Sequence, residues 1–159
     1  MSATSRIQEL GLSLPPSPPP GGIYKPVLVH NHLLYISGTV PVRSDGSFIT
    51  GRVGVDLSVE EGFAAARQVG LTMLSVIQTH FGDLDAIERL VKTYGMVNSA
   101  MDFYDHPKVI NGFSQLMQEV FGEDHGTGVR SAIGMMLPVN CAVEIEAIFA
   151  LKKSDDYAY

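Results

Sequence analysis

The sequence has a single cysteine (Cys141) and few basic residues, and each shortage argues against a class of protein. One cysteine cannot form an internal disulfide, which argues against a disulfide-stabilised secreted scaffold and favours a reducing compartment. Eleven Lys and Arg against seventeen Asp and Glu give a net charge of −6. Because the basic residues are also scattered along the chain, we expect no nucleic-acid partner.

Long apolar runs are missing as well. No segment approaches the ~20 apolar residues that a membrane-spanning helix needs, and the N-terminus lacks the layout of a secretory signal. We therefore expect a cytoplasmic protein with no membrane partner. Apart from His30 and His32, which share a turn, the histidines show no ligand spacing, so we predict neither a metal site nor a cofactor.

The length of 159 residues is typical of one domain. We divide the chain into a proline-rich N-terminal arm (residues 1–23, with the sequence PPSPPPGG), a globular domain (24–151) and a polar C-terminal tail (152–159). Consecutive prolines favour an extended arm that lies on the surface.

Within the domain, the patterns predict two helices and about six strands. Ser58 and Glu61 have the spacing of a capping box at the start of the first helix, and Pro107 suits the first turn of the second. A tight turn at HNH joins two strands, and Gly38 within the second strand indicates a bulge or a close backbone approach. The element order predicts an α+β fold in which both helices cover one face of a mainly antiparallel sheet.

The segment GVRSAIGMMLPVNCAVEIEAIFA resembles a hairpin of two apolar strands joined by a Pro-Asn turn, yet it contains Arg130, Glu144 and Glu146. Since burying an unpaired guanidinium is costly, we choose the register that places Arg130, Ala132 and Gly134 on the outer face with both glutamates. Arg130 and Glu144 would then lie about 20 Å apart at opposite ends of the hairpin and could not pair within one chain. Arg130 would face water, another segment, a neighbouring subunit or a ligand anion.

The motifs RSAIG, LP, VEIEAIFAL, LLYISGTVPV and VKTYGMVNSAMDF together resemble those of the RidA/YjgF family of enamine/imine deaminases, also labelled L-PSP endoribonucleases. The resemblance covers residues 24–151 and is closest to a branch with an extended N-terminus. It implies a fold like that of chorismate mutase and a homotrimer whose sheets form a barrel, with clefts between subunits.

The resemblance also implies a function and a set of site residues. A cofactor-free hydrolase of the 2-iminobutanoate/2-iminopropanoate deaminase type would convert 2-imino and 2-enamino acids, such as 2-aminoacrylate, to 2-keto acids and ammonia. Arg130 would bind the substrate carboxylate, for which its planar fork is suited, and Glu144 would position the attacking water. The resemblance places Tyr24, Ser37 and Gly38 on one side of the cleft and Asn111 on the other. Ala132 stands where many members carry a cysteine.

Two other functions remain open at this point. A non-catalytic trimer that binds small carboxylates, as a sensor or partner protein, would use the same arginine. Ribonuclease activity is disfavoured, because the chain is acidic and shows no histidine pair suited to acid–base work on a phosphodiester.

Overall fold

The computed structural model describes residues 2–153, so most of the predicted polar tail lies outside the described residues. The helices are Ala3–Glu9 (α1), Val59–His80 (α2) and His106–Phe121 (α3); the strands are Val27–His30 (β1), Leu33–Thr39 (β2), Ile87–Val97 (β3), Val129–Gly134 (β4) and Val143–Leu151 (β5). The predicted α+β class is confirmed, with five sheet strands where about six were expected and one additional helix.

The five strands form one sheet in the order β1-β2-β5-β3-β4. All neighbouring pairs are antiparallel except β3 and β4, which run parallel. On β5 the residues Val143, Ile145, Ala147, Phe149 and Leu151 alternate with less buried neighbours and contribute to the core, which lies between the sheet and the helices. The other face of the sheet leaves side chains such as Leu28 and Val129 exposed.

Local signals explain where the helices begin and how the first hairpin turns. The capping box is present, because Glu61 N donates to Ser58 Oγ while Ser58 N donates to the Glu61 carboxylate. Pro107 lies in the first turn of α3, as predicted. Asn31 and His32 both have positive φ, so they form the two-residue turn whose twist matches an antiparallel hairpin.

The predicted hairpin of β4 and β5 is wrong. These strands do not pair; β3 lies between them, parallel to β4 and antiparallel to β5. Residues 135–142 connect them across the end of β3, where Met135 N donates to Val97 O and Asn98 N to Ala142 O. A connection of this length exceeds the two to five residues usual in a hairpin loop, which agrees with the absence of direct pairing.

The N-terminal arm is more ordered than an extended spacer. Helix α1 precedes the prolines, and its Ala3 and Ile7 are buried in the core. Leu12 and Leu14 pack against the same core, whereas the proline segment that follows has no regular secondary structure. The arm is therefore anchored at its start and carries its prolines across the surface.

Helices α2 and α3 approach so closely that one glycine has no room for a side chain. A methyl group on Gly112 of α3 would overlap the backbone carbonyl oxygen of Phe63 in α2. Backbone atoms cannot move aside cheaply, so the sequence at this crossing determines how far apart the two helices lie.

We predict that Gly112→Ala destabilises the protein by about 1–3 kcal/mol through overpacking. Helix propensity alone predicts the opposite sign, since alanine is favoured over glycine by about 1 kcal/mol in a helix. Urea denaturation of the variant measures the difference, with Gln115→Ala on the exposed side of α3 as the control. An unchanged or raised unfolding free energy for Gly112→Ala would contradict the packing account.

Candidate functional site

A surface groove forms where β2 is interrupted beside β5. The register between these strands shifts between Ile36 and Thr39, which confirms the irregularity predicted at Gly38. A methyl group on Gly38 would overlap Glu144 Oε1, so the absent side chain makes room for the carboxylate. Gly38 does not have a positive φ. Glycine is therefore needed here for the space that it leaves and not for its backbone conformation.

The glutamate groove, as we call this cavity, has a volume of about 510 Å³. Three of the predicted site residues on β2 and before β1 line it together with Glu144, namely Tyr24, Ser37 and Gly38. The arm prolines and side chains from distant segments form much of the remaining wall: Pro18, Pro19, Pro20, Val40, Phe48, Val76, Pro138, Val139 and Glu146. The first four residues are candidates named from the sequence, whereas most of the wall was not predicted.

Glu144 is half-buried at the floor of the groove. Burial raises the pKa of its carboxyl above the ordinary value, and the negative charge of Glu146 raises it further. A carboxylate with a raised pKa is a stronger base than one in water, which is the property that water activation requires.

Cys141 lies close to this carboxylate but is fully buried. Burial and the charge of Glu144 raise the pKa of the thiol to about 12. The thiol therefore stays protonated at neutral pH and is a poor nucleophile, so Cys141 contributes packing rather than chemistry to the groove.

The loop that ends the groove has a strained backbone. Val139 and Asn140 have φ values of 50° and 55°, a region that β-branched residues rarely adopt. Asn140 is held by hydrogen bonds from Gly51 N to its carbonyl oxygen and from Asn98 Nδ2 to its side-chain oxygen, both 2.9 Å. These bonds fix Val139 as a rigid part of the groove wall.

Arg130 lies elsewhere, against α3. Its Nη1 donates to Ser114 Oγ at 2.9 Å and its Nη2 to the carbonyl oxygen of Pro107 at 3.2 Å. Asn111 is four residues after Pro107 and three residues before Ser114. The three residues therefore lie on the same side of α3. Arg130 and Asn111 form what we call the arginine edge.

The charge of Arg130 has no partner in the described part of the chain. Both of its acceptors are neutral, and no carboxylate of residues 2–153 forms an ion pair with it. Partial burial lowers the pKa of the guanidinium, because the charge is less well solvated there. A cation held by neutral acceptors with three N–H groups left over is suited to bind an anion.

The face predicted for Arg130 is therefore wrong. Ala132 and Gly134 share its side of β4, and all three are directed toward the helices, whereas Glu144 and Glu146 lie on the opposite side of the sheet. The hairpin register that placed them together fails because β3 separates the strands. Ala132 packs against the core beside the arginine edge rather than opening a space on the outer face.

Arg130 and Glu144 nevertheless remain too far apart to pair. Arg130 is level with Thr93 and Glu144 with Met96 on the intervening strand. Two strand spacings and three residues along the strand place their Cα atoms about 14 Å apart. One chain thus presents the predicted site residues as two separate sets.

The sequence prediction also missed a histidine next to the arginine edge. His106 Nε2 lies 3.0 Å from Ser99 Oγ, and the ring of Phe103 meets that of His106 edge-on. Burial lowers the pKa of His106, and the negative charge of Asp105 offsets part of this shift. The neutral form of the imidazole is therefore favoured near pH 7. Spacing could not reveal this pair, since Ser99 and His106 belong to a loop and a helix that tertiary packing brings together.

Residues 2–153 contain no cluster of three His, Cys, Asp or Glu side chains arranged to hold a metal ion. Over the same range, no helix has both the length and the apolar character to cross a bilayer.

Comparison with known proteins shows what the chain as a whole is similar to. The family model "YjgF/chorismate_mutase-like, putative endoribonuclease" matches residues 4–150. The protein TCP17 of Trypanosoma cruzi is 38% identical over 148 residues, which cover 92% of each chain. The structure of Atu1372 from Agrobacterium tumefaciens, a protein of unknown function, is 37% identical with a TM-score of 0.84 and covers 95% of this chain and 94% of its own.

A second similar structure is that of a putative endoribonuclease from Shewanella oneidensis. It is 28% identical, has a TM-score of 0.89, and the match covers 95% of this chain and all of the other. The family match begins at residue 4 and therefore takes in α1 and the proline segment along with the domain.

We predict that Gly38→Ala moves the Glu144 carboxylate without unfolding the protein. The overlapping atom belongs to the end of a flexible side chain, so the carboxylate can move aside at little cost to the fold. If Glu144 takes part in catalysis, activity should fall at least about tenfold while the melting temperature changes by only a few degrees. Ser13→Ala, at an exposed serine outside the groove, is the control and should leave both activity and melting temperature unchanged. A variant with full activity would show that the carboxylate position is unimportant.

Proposed function

The chain belongs to the YjgF/chorismate mutase-like family, and on this premise we propose that it hydrolyses 2-imino and 2-enamino acids to 2-keto acids and ammonia in clefts between subunits. The single observation that carries the proposal is the division of the site into two sets. The arginine edge offers an unpaired cation, and the glutamate groove offers a half-buried carboxylate with a raised pKa.

Each set supplies one part of the reaction. Arg130 binds the carboxylate of the substrate through two parallel N–H donors, with Asn111 beside it. Glu144 accepts a proton from water as the oxygen attacks the carbon of the C=N bond, and that proton passes to the imine nitrogen as its bond to carbon becomes single. The hydroxyl proton of this intermediate is then transferred to the nitrogen, so the C–N bond breaks with release of ammonia. The oxygen forms the carbonyl group of the 2-keto acid.

This chemistry needs little assistance from the protein. An imine is already electrophilic, so positioning the substrate and water and stabilising the developing charges account for the catalysis. An enamine first gains a proton on carbon to become the imine. No step changes the overall oxidation state, so the proposed reaction requires no redox cofactor.

The proposal requires a second subunit, because the two sets lie on opposite sides of the sheet and about 14 Å apart in one chain. A homotrimer of the kind that the sequence resemblance implies would bring Arg130 of one subunit to the glutamate groove of the next. The exposed apolar side chains on the outer face of the sheet, Leu28 and Val129 among them, support such an assembly.

A non-catalytic carboxylate-binding protein is the alternative, and the unpaired charge of Arg130 favours it equally. The two functions differ at Glu144, which a sensor of keto acids would not need. Binding of pyruvate or 2-ketobutyrate with no turnover of any imine would identify the sensor, and RNA cleavage that is lost in site variants would identify a ribonuclease.

We predict that Arg130→Ala lowers kcat/KM for freshly generated 2-aminoacrylate by about 100-fold or more, since the loss of a bidentate ion pair removes a few kcal/mol. Arg130→Lys should recover only a small part, because lysine keeps the charge but lacks the fork. The measurement is ammonia release above the rate in buffer. Arg52→Ala, at an exposed arginine outside both sets, is the matched control. Equal rates for the Arg130 variants and the wild type would refute the catalytic role of the arginine.

We also predict that Glu146→Gln shifts the acidic limb of the kcat/KM profile to lower pH. Glu144 must be ionised to act as a base, and the charge of Glu146 helps to raise its pKa. Removing that charge lowers the pKa of Glu144, so activity persists to lower pH. Glu88→Gln, at an exposed glutamate distant from the groove, should leave the profile in place. A shift toward higher pH would show that Glu144 is not the titrating base.

A further inference from the structure

We propose that the glutamate groove accepts the side chain of the substrate and that the preferred substrates are imino acids with large apolar side chains. This inference rests on the proposed function and specifies its substrate class. Imines derived from leucine or phenylalanine are examples, in contrast to 2-aminoacrylate and the imine of alanine.

The volume of the groove is the first reason. Its 510 Å³ lies within the range of pockets that hold ligands much larger than a three-carbon acid. The imine of alanine has six non-hydrogen atoms and would leave most of this space to water. A branched or aromatic side chain would displace that water from apolar surface, which is favourable by about 25 cal/mol for each Å² buried.

The second reason is the composition of the groove lining. Glu144 and Glu146 lie together, with Ser37 and Gly38 nearby, whereas the rest of the lining is largely apolar. The apolar part comes from five separate segments of the chain: Pro18–Pro20, Val40, Phe48, Val76 and Pro138–Val139. A wall of this composition has few donors or acceptors for a second polar group, so it selects a hydrocarbon side chain.

Charge determines which end of the substrate enters the groove. The two carboxylates in its lining, Glu144 and Glu146, repel the carboxylate of an imino acid, so that group must point away, toward an arginine such as Arg130 of a neighbouring subunit. With the carboxylate outside and the imine carbon at Glu144, the remaining substituent, which is the side chain, is directed along the apolar wall.

The proline segment of the arm completes the wall on one side. Gly21 N donates to Tyr24 Oη at 3.0 Å, which closes the chain into a tight loop next to the prolines. Proline side chains lose little entropy when they are held against a ligand, because their backbone is already restricted. The arm is therefore a rigid specificity element, and its anchoring by α1 has a functional reason.

The test compares imines generated in situ by an amino-acid oxidase from alanine, leucine and phenylalanine. We expect kcat/KM to be at least about tenfold higher for the leucine-derived imine than for the alanine-derived one, since each added methylene in an apolar pocket contributes that order of discrimination. Val139→Trp places a bulky ring in the groove and should reduce this ratio at least about fivefold. Val55→Trp, at another exposed valine, is the matched control and should leave the ratio unchanged.

Phe48→Ala, which removes part of the wall, provides a second variant in case Val139→Trp folds poorly, and it should also lower the ratio. Turnover without any preference for larger imines, or a ratio unaffected in both variants, would overturn the inference and leave the proposed function intact. If the wild type turns over no imine, the proposed function fails. Calorimetry with 4-methyl-2-oxopentanoate and pyruvate then decides the inference: tighter binding of the larger acid that Val139→Trp abolishes supports it, and equal affinities overturn it.

Discussion

Strand β3 separates the two charged groups on which the proposed chemistry depends. It hydrogen-bonds to β4 on one side and to β5 on the other, and it holds Arg130 and Glu144 two strand spacings apart on opposite sides of the sheet. Backbone ladders of this length are among the most rigid parts of a protein, so no side-chain motion can bring the two groups together. A reaction that uses both groups must therefore recruit one of them from another chain.

Each of the two sets is costly to maintain in an isolated subunit. Glu144 is held where burial and a second carboxylate disfavour its ionised form. The guanidinium of Arg130 donates hydrogen bonds to neutral acceptors, which do not balance its charge. Groups in such surroundings are stabilised by a ligand or partner of opposite charge, which is why they are common at functional sites. Gly38 and the strained Val139 are likewise unfavourable for local stability, and both shape the space around the Glu144 carboxylate.

Features that depend on neighbouring residues were predictable from the sequence. The capping box at Ser58, the turn at Asn31 and His32 and the irregularity at Gly38 all follow from local stereochemistry, and the structure contains each of them. The assignment of Tyr24, Ser37 and Gly38 to one side of a cleft and of Asn111 to the other came from the family resemblance rather than from the residues themselves, and it stays a prediction.

What could not be predicted depends on contacts between distant segments. Alternation along β4 and β5 indicates which residues share a face of a strand, but it does not identify the neighbouring strand, so the intervening β3 was missed and the orientation of Arg130 was wrong. Helix α1 has only seven residues and lies outside the predicted domain, so its pattern was too short to stand out beside the prolines. The walls of the groove come from segments whose proximity only the folded chain reveals.

The most direct test of the shared site mixes two inactive variants. Arg130→Ala retains the glutamate groove and Glu144→Ala retains the arginine edge, so random assembly of equal amounts into trimers should make about a quarter of the sites intact. After joint unfolding and refolding, imine hydrolysis should return to about that fraction of the wild-type rate, while each variant refolded alone stays inactive. Recovery of this size would show that the two residues act from different chains. A mixed sample that is properly assembled and still inactive would contradict the account.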